Sequence, residues 1–299
     1  MTTLESLLGD RLLRDEPLAK YTAARLGGPA DMLYVARESN ELMAGVVQTA
    51  WQNNIPVRVI GGGANVLIAD EGLRGLVVVN QVKHMAFVGH TIHTTAGIGL
   101  TTLANRCASH GLTGFEWAIS VPGTLGGAVV NNAGAHDGDM SDSVQTITLI
   151  DAQNGRQTWN VTDLQYNYRH SVLKAREDKR FLVLDAVLSM KQGEPDDIHA
   201  KIDEFREHRR RTQPPGASLG SIFKNPSGDY AGRLIEAAGL KGYKIGHAAV
   251  STKHANFFIN QGNATATDYM ALITHVHETV HRQFDVLLEP EIELLGASR

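Results

Sequence analysis

Residues 121–138 read Val-Pro-Gly-Thr-Leu-Gly-Gly-Ala-Val-Val-Asn-Asn-Ala-Gly-Ala-His-Asp-Gly, five glycines in eighteen positions without a lysine or arginine. Such a tract offers a neighbour its backbone, because glycine serves where the chain turns sharply or comes close to a ligand. Alone, the stretch reads equally well as a buried loop with tight turns. A second loop changes the balance: Gly61-Gly62-Gly63-Ala64-Asn65 follows the β-branched run Val57–Ile60. Successive unhindered N–H groups at the end of a strand can form an anion-binding nest, and phosphate is the natural guest. No Gly-Lys-Ser/Thr follows, and Gly-x-Gly-x-x-Gly opening a helix is absent. Neither a P-loop nor a Rossmann dinucleotide site is therefore expected. Two Gly-rich loops from adjacent lobes suit the phosphates and the flat ring system of a flavin held by a different fold.

Around these loops, strand and helix signals mix rather than alternate regularly. Met32–Val35, Val57–Ile60, Val66–Ile68 and Leu76–Val79 read as strands and Glu41–Gln52 as a helix, a small α/β layer. Ile92–Thr95, Thr146–Ile150, Thr158–Val161 and Leu182–Ser189 are strand-like and surround one helix, Leu100–His110, and the opening tract. After Gly193, the charged helix Glu194–Arg211 leads to helices at Ala231–Ala238 and Ala266–Gln283 and strands at Ala248–Ser251, Phe257–Ile259 and Glu291–Leu295. The expected class is α+β, in three lobes: residues 1–80, 81–193 and 194–299.

The chain has 299 residues, 42% of them hydrophobic and 20% charged, with a formal net charge of -4. That balance supports sizeable cores and argues against a nucleic-acid surface, which needs a clustered basic excess. The run His208-Arg209-Arg210-Arg211 is expected to be the solvated end of a charged helix. A single cysteine, Cys107, excludes an intramolecular disulfide framework and fits a reducing compartment. On a helix its default is a buried thiol. Met1–Pro17 carries acids among its leucines and has no leader pattern, and no stretch approaches the roughly 20 apolar residues of a membrane span. A soluble, cytoplasmic protein is expected, without membrane, nucleic-acid or obligate protein partners.

The third lobe carries a polar constellation. Ser221, Lys224 and Asn225 lie within Ser218-Leu219-Gly220-Ser221-Ile222-Phe223-Lys224-Asn225-Pro226. No Gly-x-Ser-x-Gly elbow is present, and a nucleophilic serine would need an adjacent base, so a capped turn is the plain alternative. Tyr166-Asn167-Tyr168-Arg169-His170-Ser171 is rich in donors, with Arg169 supplying a planar fork for carboxylate or phosphate. In Leu288-Glu289-Pro290-Glu291-Ile292-Glu293 the acids alternate, which puts them on one face of a strand. A carboxylate turned from that face into a cleft would have its pKa raised and suit proton work. His277-Glu278-Thr279-Val280-His281 matches the zinc-peptidase pattern on a helix, but only 18 residues follow to supply a third ligand. Zinc peptidase is the distant alternative, and no metal is expected.

In order along nearly the whole chain, the sequence resembles the UDP-N-acetylenolpyruvoylglucosamine reductases. The matching pieces are Arg25-Leu26-Gly27-Gly28-Pro29-Ala30, Gly61–Asn65, Val121–Gly134, Tyr168-Arg169-His170-Ser171, Gly220–Pro226, Ala231–Gly239, His254-Ala255-Asn256-Phe257 and Glu289-Pro290-Glu291. The resemblance implies a vanillyl-alcohol-oxidase (PCMH-type) fold, with FAD between two N-terminal α+β lobes and a third α+β lobe for substrate. It implies that Gly61, Gly62, Gly63, Ala64 and Asn65 cradle the pyrophosphate. Val121, Pro122, Gly123, Thr124, Gly126, Gly127 and Ala128 would line the flavin. Arg169, Ser221 and Glu291 match the catalytic positions, and Lys224, Asn225, Tyr243 and Asn256 are candidates for sugar-nucleotide contacts.

The implied reaction uses NADPH to reduce UDP-N-acetylglucosamine enolpyruvate through FAD, with Ser221 as proton donor and Lys224 near enough in sequence to assist. Another FAD-dependent alcohol or sugar oxidoreductase of the same fold is the nearer alternative. Three departures stand out: Ala23-Ala24 before Arg25, Gly-Gly-Gly-Ala-Asn where serine is commoner, and a short span from Ser171 to Phe181. That span leaves little room for the tyrosine-bearing lid of longer members, so the short form is expected.

Overall fold

The computed structural model describes residues 3–296, and the chain divides into two compact units. Met1–Leu13, Met32–Gly62 and Gly75–Arg209 form the first; Arg14–Asp31, Gly63–Arg74 and Arg210–Arg299 form the second.

In the first unit, Val57–Ile60 pairs in parallel with Leu76–Val79. Helix Asn40–Gln52 starts where the Ser39 hydroxyl accepts the Leu42 N–H, the standard way to satisfy an orphan first-turn donor. Its buried face, Met43, Val46, Val47 and Ala50, packs with Tyr34, Leu76 and Val78. A second, antiparallel sheet runs Gly155–Asn160, Val144–Asp151, Phe181–Ser189, Thr91–Thr95, Met85–Val88. Phe181–Ser189 sends Leu182 and Leu184 into the first core and Val183, Ala186 and Leu188 into the second. Covered on both faces, it reads as a nearly continuous apolar run.

The glycine tract is not the loop its composition suggests. Leu125–Asn131 is an α-helix, ended by Asn132 in the left-handed region at φ 44. Leu125, Ala128 and Val129 are its buried residues, a helical spacing hidden among the glycines. Its first donors are satisfied from outside: the N–H groups of Leu125 and Gly126 donate to the carbonyls of Ile98 and Ala96 at 2.9 and 2.8 Å.

Cys107, on helix Leu100–Ser109, is 1% exposed. Burial, with the nearby Glu116 carboxylate, pushes its thiol up to about 12. Because only the thiolate reacts, a thiol reagent is expected to leave the native protein unlabelled at pH 8 and to label one thiol once denaturant is added. Labelling at equal rates in both states would show that this helix opens readily.

In the second unit a three-stranded antiparallel sheet, Lys244–Ile245, Ala248–Val250 and Phe258–Asn260, shares its core with helices Ala231–Ala237 and Ala266–Phe284. The longer helix opens on a capping box between Thr265 and Asp268. The Asp70 carboxylate also accepts from the N–H groups of Ala266 and Thr267, complementing the positive end of the helix. Strand Glu293–Leu295 pairs in parallel with Val66–Ile68. Among the described residues, no helix is long and apolar enough to cross a membrane.

Candidate active site

Two glycine loops meet within the first unit. A Cβ at Gly61 would lie 2.0 Å from Thr124 Oγ1, and one at Gly62 would lie 3.0 Å from Gly123 Cα. Only bare backbone fits at that approach. Just ahead of Val121, the Ser120 hydroxyl and the Trp117 indole N–H are buried without a hydrogen-bond partner. Unsatisfied buried donors cost roughly 1–3 kcal/mol each. Val121, Gly123, Thr124 and Gly126 are half-buried and Ala128 is buried, while Pro122 and Gly127 are exposed. A close-set wall of bare backbone fits a flat ring such as a flavin.

The loop continues into the second unit. Gly63 is buried at φ +59, and a Cβ there would sit 2.1 Å from the Tyr21 carbonyl oxygen. Half-buried Ala64 and Asn65 follow. Asn65 donates its amide to the Glu291 carbonyl at 3.2 Å and accepts the Glu293 N–H at 2.9 Å. The expected phosphate loop is thereby tied to the segment carrying Glu291.

Arg169 lies in the first unit, half-buried and in the left-handed region at φ 53. Its guanidinium donates to the carbonyls of Gly134 at 2.6 Å and Asn132 at 3.4 Å, 5.2 Å from the Tyr168 ring centroid. The surrounding loop is sewn to helix Leu125–Asn131: Tyr166 Oη donates to the Val129 carbonyl at 2.8 Å, and the Ser171 hydroxyl donates to that of Val130. From Ser171 to Phe181 the chain makes only the one-turn helix Val172–Ala175.

Ser221 and Glu291 belong to the second unit, where backbone pairing brings their segments together. Ser221 bridges Phe257, and Phe223 bridges Pro290. The Glu291 N–H donates to the Ile222 carbonyl at 2.8 Å, and the Lys224 N–H to that of Glu289 at 2.8 Å. Ser221 and Glu291, both half-buried, therefore stand on adjoining extended segments. The regular strand begins only at Glu293, so the expected strand from Glu291 is shorter, with Pro290 interrupting its approach.

The lesser candidates are largely occupied in holding this framework. The Lys224 ammonium is paired with the Glu289 carboxylate, so its charge is engaged there. Asn225 is exposed, and its side-chain oxygen accepts the Ala231 N–H at 3.1 Å, at the start of helix Ala231–Ala237. Tyr243 is 40% exposed and stacks on His275 with centroids 4.3 Å apart. Asn256, expected to touch substrate, is 2% exposed, accepting the Phe223 N–H at 3.0 Å and donating to its carbonyl at 2.8 Å. That amide positions the Ser221 segment. Asn256→Ala is expected to cost about 2–4 kcal/mol by leaving two backbone groups unsatisfied, measured by urea unfolding; a loss under about 0.5 kcal/mol would show that water replaces the amide.

Arg209 does not share the full solvation expected of its basic run, because desolvation lowers its pKa to about 10. The His277 and His281 pair lies on helix Ala266–Phe284, and His281 faces Asp285 at 3.9 Å. Among the described residues no three His, Cys, Asp or Glu side chains are grouped to hold a metal ion.

Residues 32–159 match the FAD binding domain, and residues 212–295 match the UDP-N-acetylenolpyruvoylglucosamine reductase C-terminal domain. The fold and the first of these matches define a flavin-dependent oxidoreductase. A UDP-N-acetylenolpyruvoylglucosamine reductase of Caldanaerobacter subterraneus is 40% identical, over 98% of this chain and 96% of its own length. One of Rubrobacter xylanophilus is 41% identical, over 94% of each. The crystal structure of the Thermus caldophilus reductase superposes with a TM-score of 0.82 at 32% identity, covering 95% of this chain and 99% of that one. The chain belongs to the UDP-N-acetylenolpyruvoylglucosamine reductase family.

Proposed function

We propose that this protein uses NADPH to reduce UDP-N-acetylglucosamine enolpyruvate to UDP-N-acetylmuramate, a peptidoglycan precursor, in the cytoplasm. The observation that carries the reading is the pairing of the Ser221 and Glu291 segments within the region matched by the reductase C-terminal domain. Residues 1–80 and 81–193 serve as the two cofactor lobes and 194–299 as the substrate lobe. Bound FAD would supply the hydride chemistry that links NADPH to C3 of the enolpyruvyl group.

The residues of the chain do the rest. N–H groups of Gly61–Asn65 receive the pyrophosphate, and the bare backbone of Val121–Ala128 accepts the ring. Hydride at C3 leaves an enol-like anion spread over the substrate carboxylate. Arg169 hydrogen-bonds that developing charge, and Glu291 stands on the segment adjoining Ser221. Ser221 donates its hydroxyl proton to C2 as general acid and is reprotonated from solvent.

The test is spectroscopic and kinetic. Purified protein is expected to show flavin absorbance that bleaches with NADPH under anaerobic conditions and returns on adding the enolpyruvyl sugar nucleotide. Bleaching without return would leave a flavoprotein that acts on another acceptor.

A further inference from the structure

The Arg169 guanidinium is aimed by a β-hairpin whose tip is strained. Gly134–Ala135 pairs with Gly138–Asp139, leaving His136 and Asp137 as a two-residue turn. Both have positive φ, 51 and 62, the type I′ geometry that Asn-Gly adopts readily and bulkier residues do not. Two further non-glycine residues with positive φ adjoin it: Asn132 at 44 and Arg169 at 53. Such conformations cost on the order of 1–3 kcal/mol each and persist only where surroundings over-determine them.

Three sets of contacts do so. The buried Asn132 amide donates to Asp139 Oδ2 and to the Asn167 carbonyl, both at 3.1 Å, joining the hairpin to the Arg169 loop. Gly138 leaves no room for a side chain, since a Cβ would meet Trp117 Cδ1 at 2.6 Å. At the tip, the His136 ring stacks on Phe205 with centroids 4.1 Å apart and planes within 9°, and its edge meets His208 at 5.4 Å. Burial, and after it the charges of His208 and Arg209, hold this imidazole below its ordinary pKa against Asp137 and Glu204. Both effects favour the neutral form of the stacked ring.

We infer that His136 is a positioning residue for Arg169: its stack on Phe205 pins the hairpin tip to helix Pro195–Thr212 and so fixes the Gly134 carbonyl that holds the guanidinium. Gly134 is two residues from His136 on the same hairpin arm, so release of the tip reaches the carbonyl through a single strand pair. The flat ring matters rather than its nitrogens, because the geometry is face-to-face on a phenyl group. The inference rests on the role proposed for Arg169.

The experiment compares His136→Ala, His136→Phe, Arg169→Lys and the double variant His136→Ala/Arg169→Lys in the holoenzyme, following both half-reactions and thermal unfolding. His136→Ala is expected to slow reoxidation by the enolpyruvyl substrate about tenfold to a hundredfold, the scale on which a misplaced group costs rate. Reduction by NADPH should be unchanged, and His136→Phe should restore the parent rate. In the Arg169→Lys background the same change should cost less than about twofold, the non-additivity of residues acting through one another. Additive effects, equal slowing of both halves, or failure of phenylalanine to rescue would overturn the inference. If His136→Ala does not fold, Phe205→Leu probes the stack from its other side with the same expected outcomes. A silent Arg169→Lys would remove the role of Arg169 itself; a slow Arg169→Lys with a silent His136→Ala would remove only that of His136.

Discussion

Ser221→Ala is expected to leave reduction by NADPH within about twofold of the parent and to slow reoxidation by the enolpyruvyl substrate by roughly 10²–10⁴-fold, the usual worth of a positioned general acid. The asymmetry follows from when the proton is needed. Hydride uptake from NADPH asks nothing of the Ser221 hydroxyl, whereas the anion left after hydride reaches C3 must be protonated at C2. The backbone around Ser221 is held independently of its side chain, by the Phe257 bridge and the Asn256 amide on Phe223. Removing one oxygen should therefore leave the fold intact. Stopped-flow traces of the two half-reactions give the answer. Equal slowing of both would make Ser221 a structural support.

Gly61→Val should weaken flavin binding by a protein that still folds. A Cβ at Gly61 would lie 2.0 Å from Thr124 Oγ1 and 3.1 Å from Thr124 Cβ, so rotating the hydroxyl away does not relieve the crowding. The two loops must part. Overpacking of this kind costs about 1–3 kcal/mol, which taken from the bound state weakens flavin affinity by roughly tenfold to a hundredfold. Titration of apoprotein with FAD measures the affinity, and circular dichroism reports the fold. Full flavin occupancy in the variant would mean that the glycines serve the turn alone.

The sequence made the long elements legible because each carries its own period. The continuous apolar run at Leu182–Ser189 and the three-to-four spacing across Ala266–Gln283 answer to burial on two faces and on one. The helix within the glycine tract escaped notice because glycine has low helix propensity, while the residues that decide the matter, Leu125, Ala128 and Val129, number only three. Around the site, residue types were easier to read than contacts. Motif order nominates Arg169, Ser221 and Glu291 as candidates, but it gives no sign that the Asn256 amide turns toward Phe223. An amide suits a sugar nucleotide and a neighbouring backbone equally well, and only the tertiary placement of Phe223 chooses. The pairing of Val66–Ile68 with Glu293–Leu295 left no local trace either, since each run alone is a short strand awaiting a partner.

That pairing also orders events during folding. Val66–Ile68 and its parallel partner Glu293–Leu295 lie far apart in the sequence. Pairing at such separation carries a large loop-closure cost and is slow to form. Asn65, whose backbone and amide are held by Glu293 and Glu291, waits on the same event. A folding chain can complete much of the first unit while Asn65 still lacks its anchor. Closure of this pair is thus a late step of folding, and Asn65 settles only after the local elements have formed.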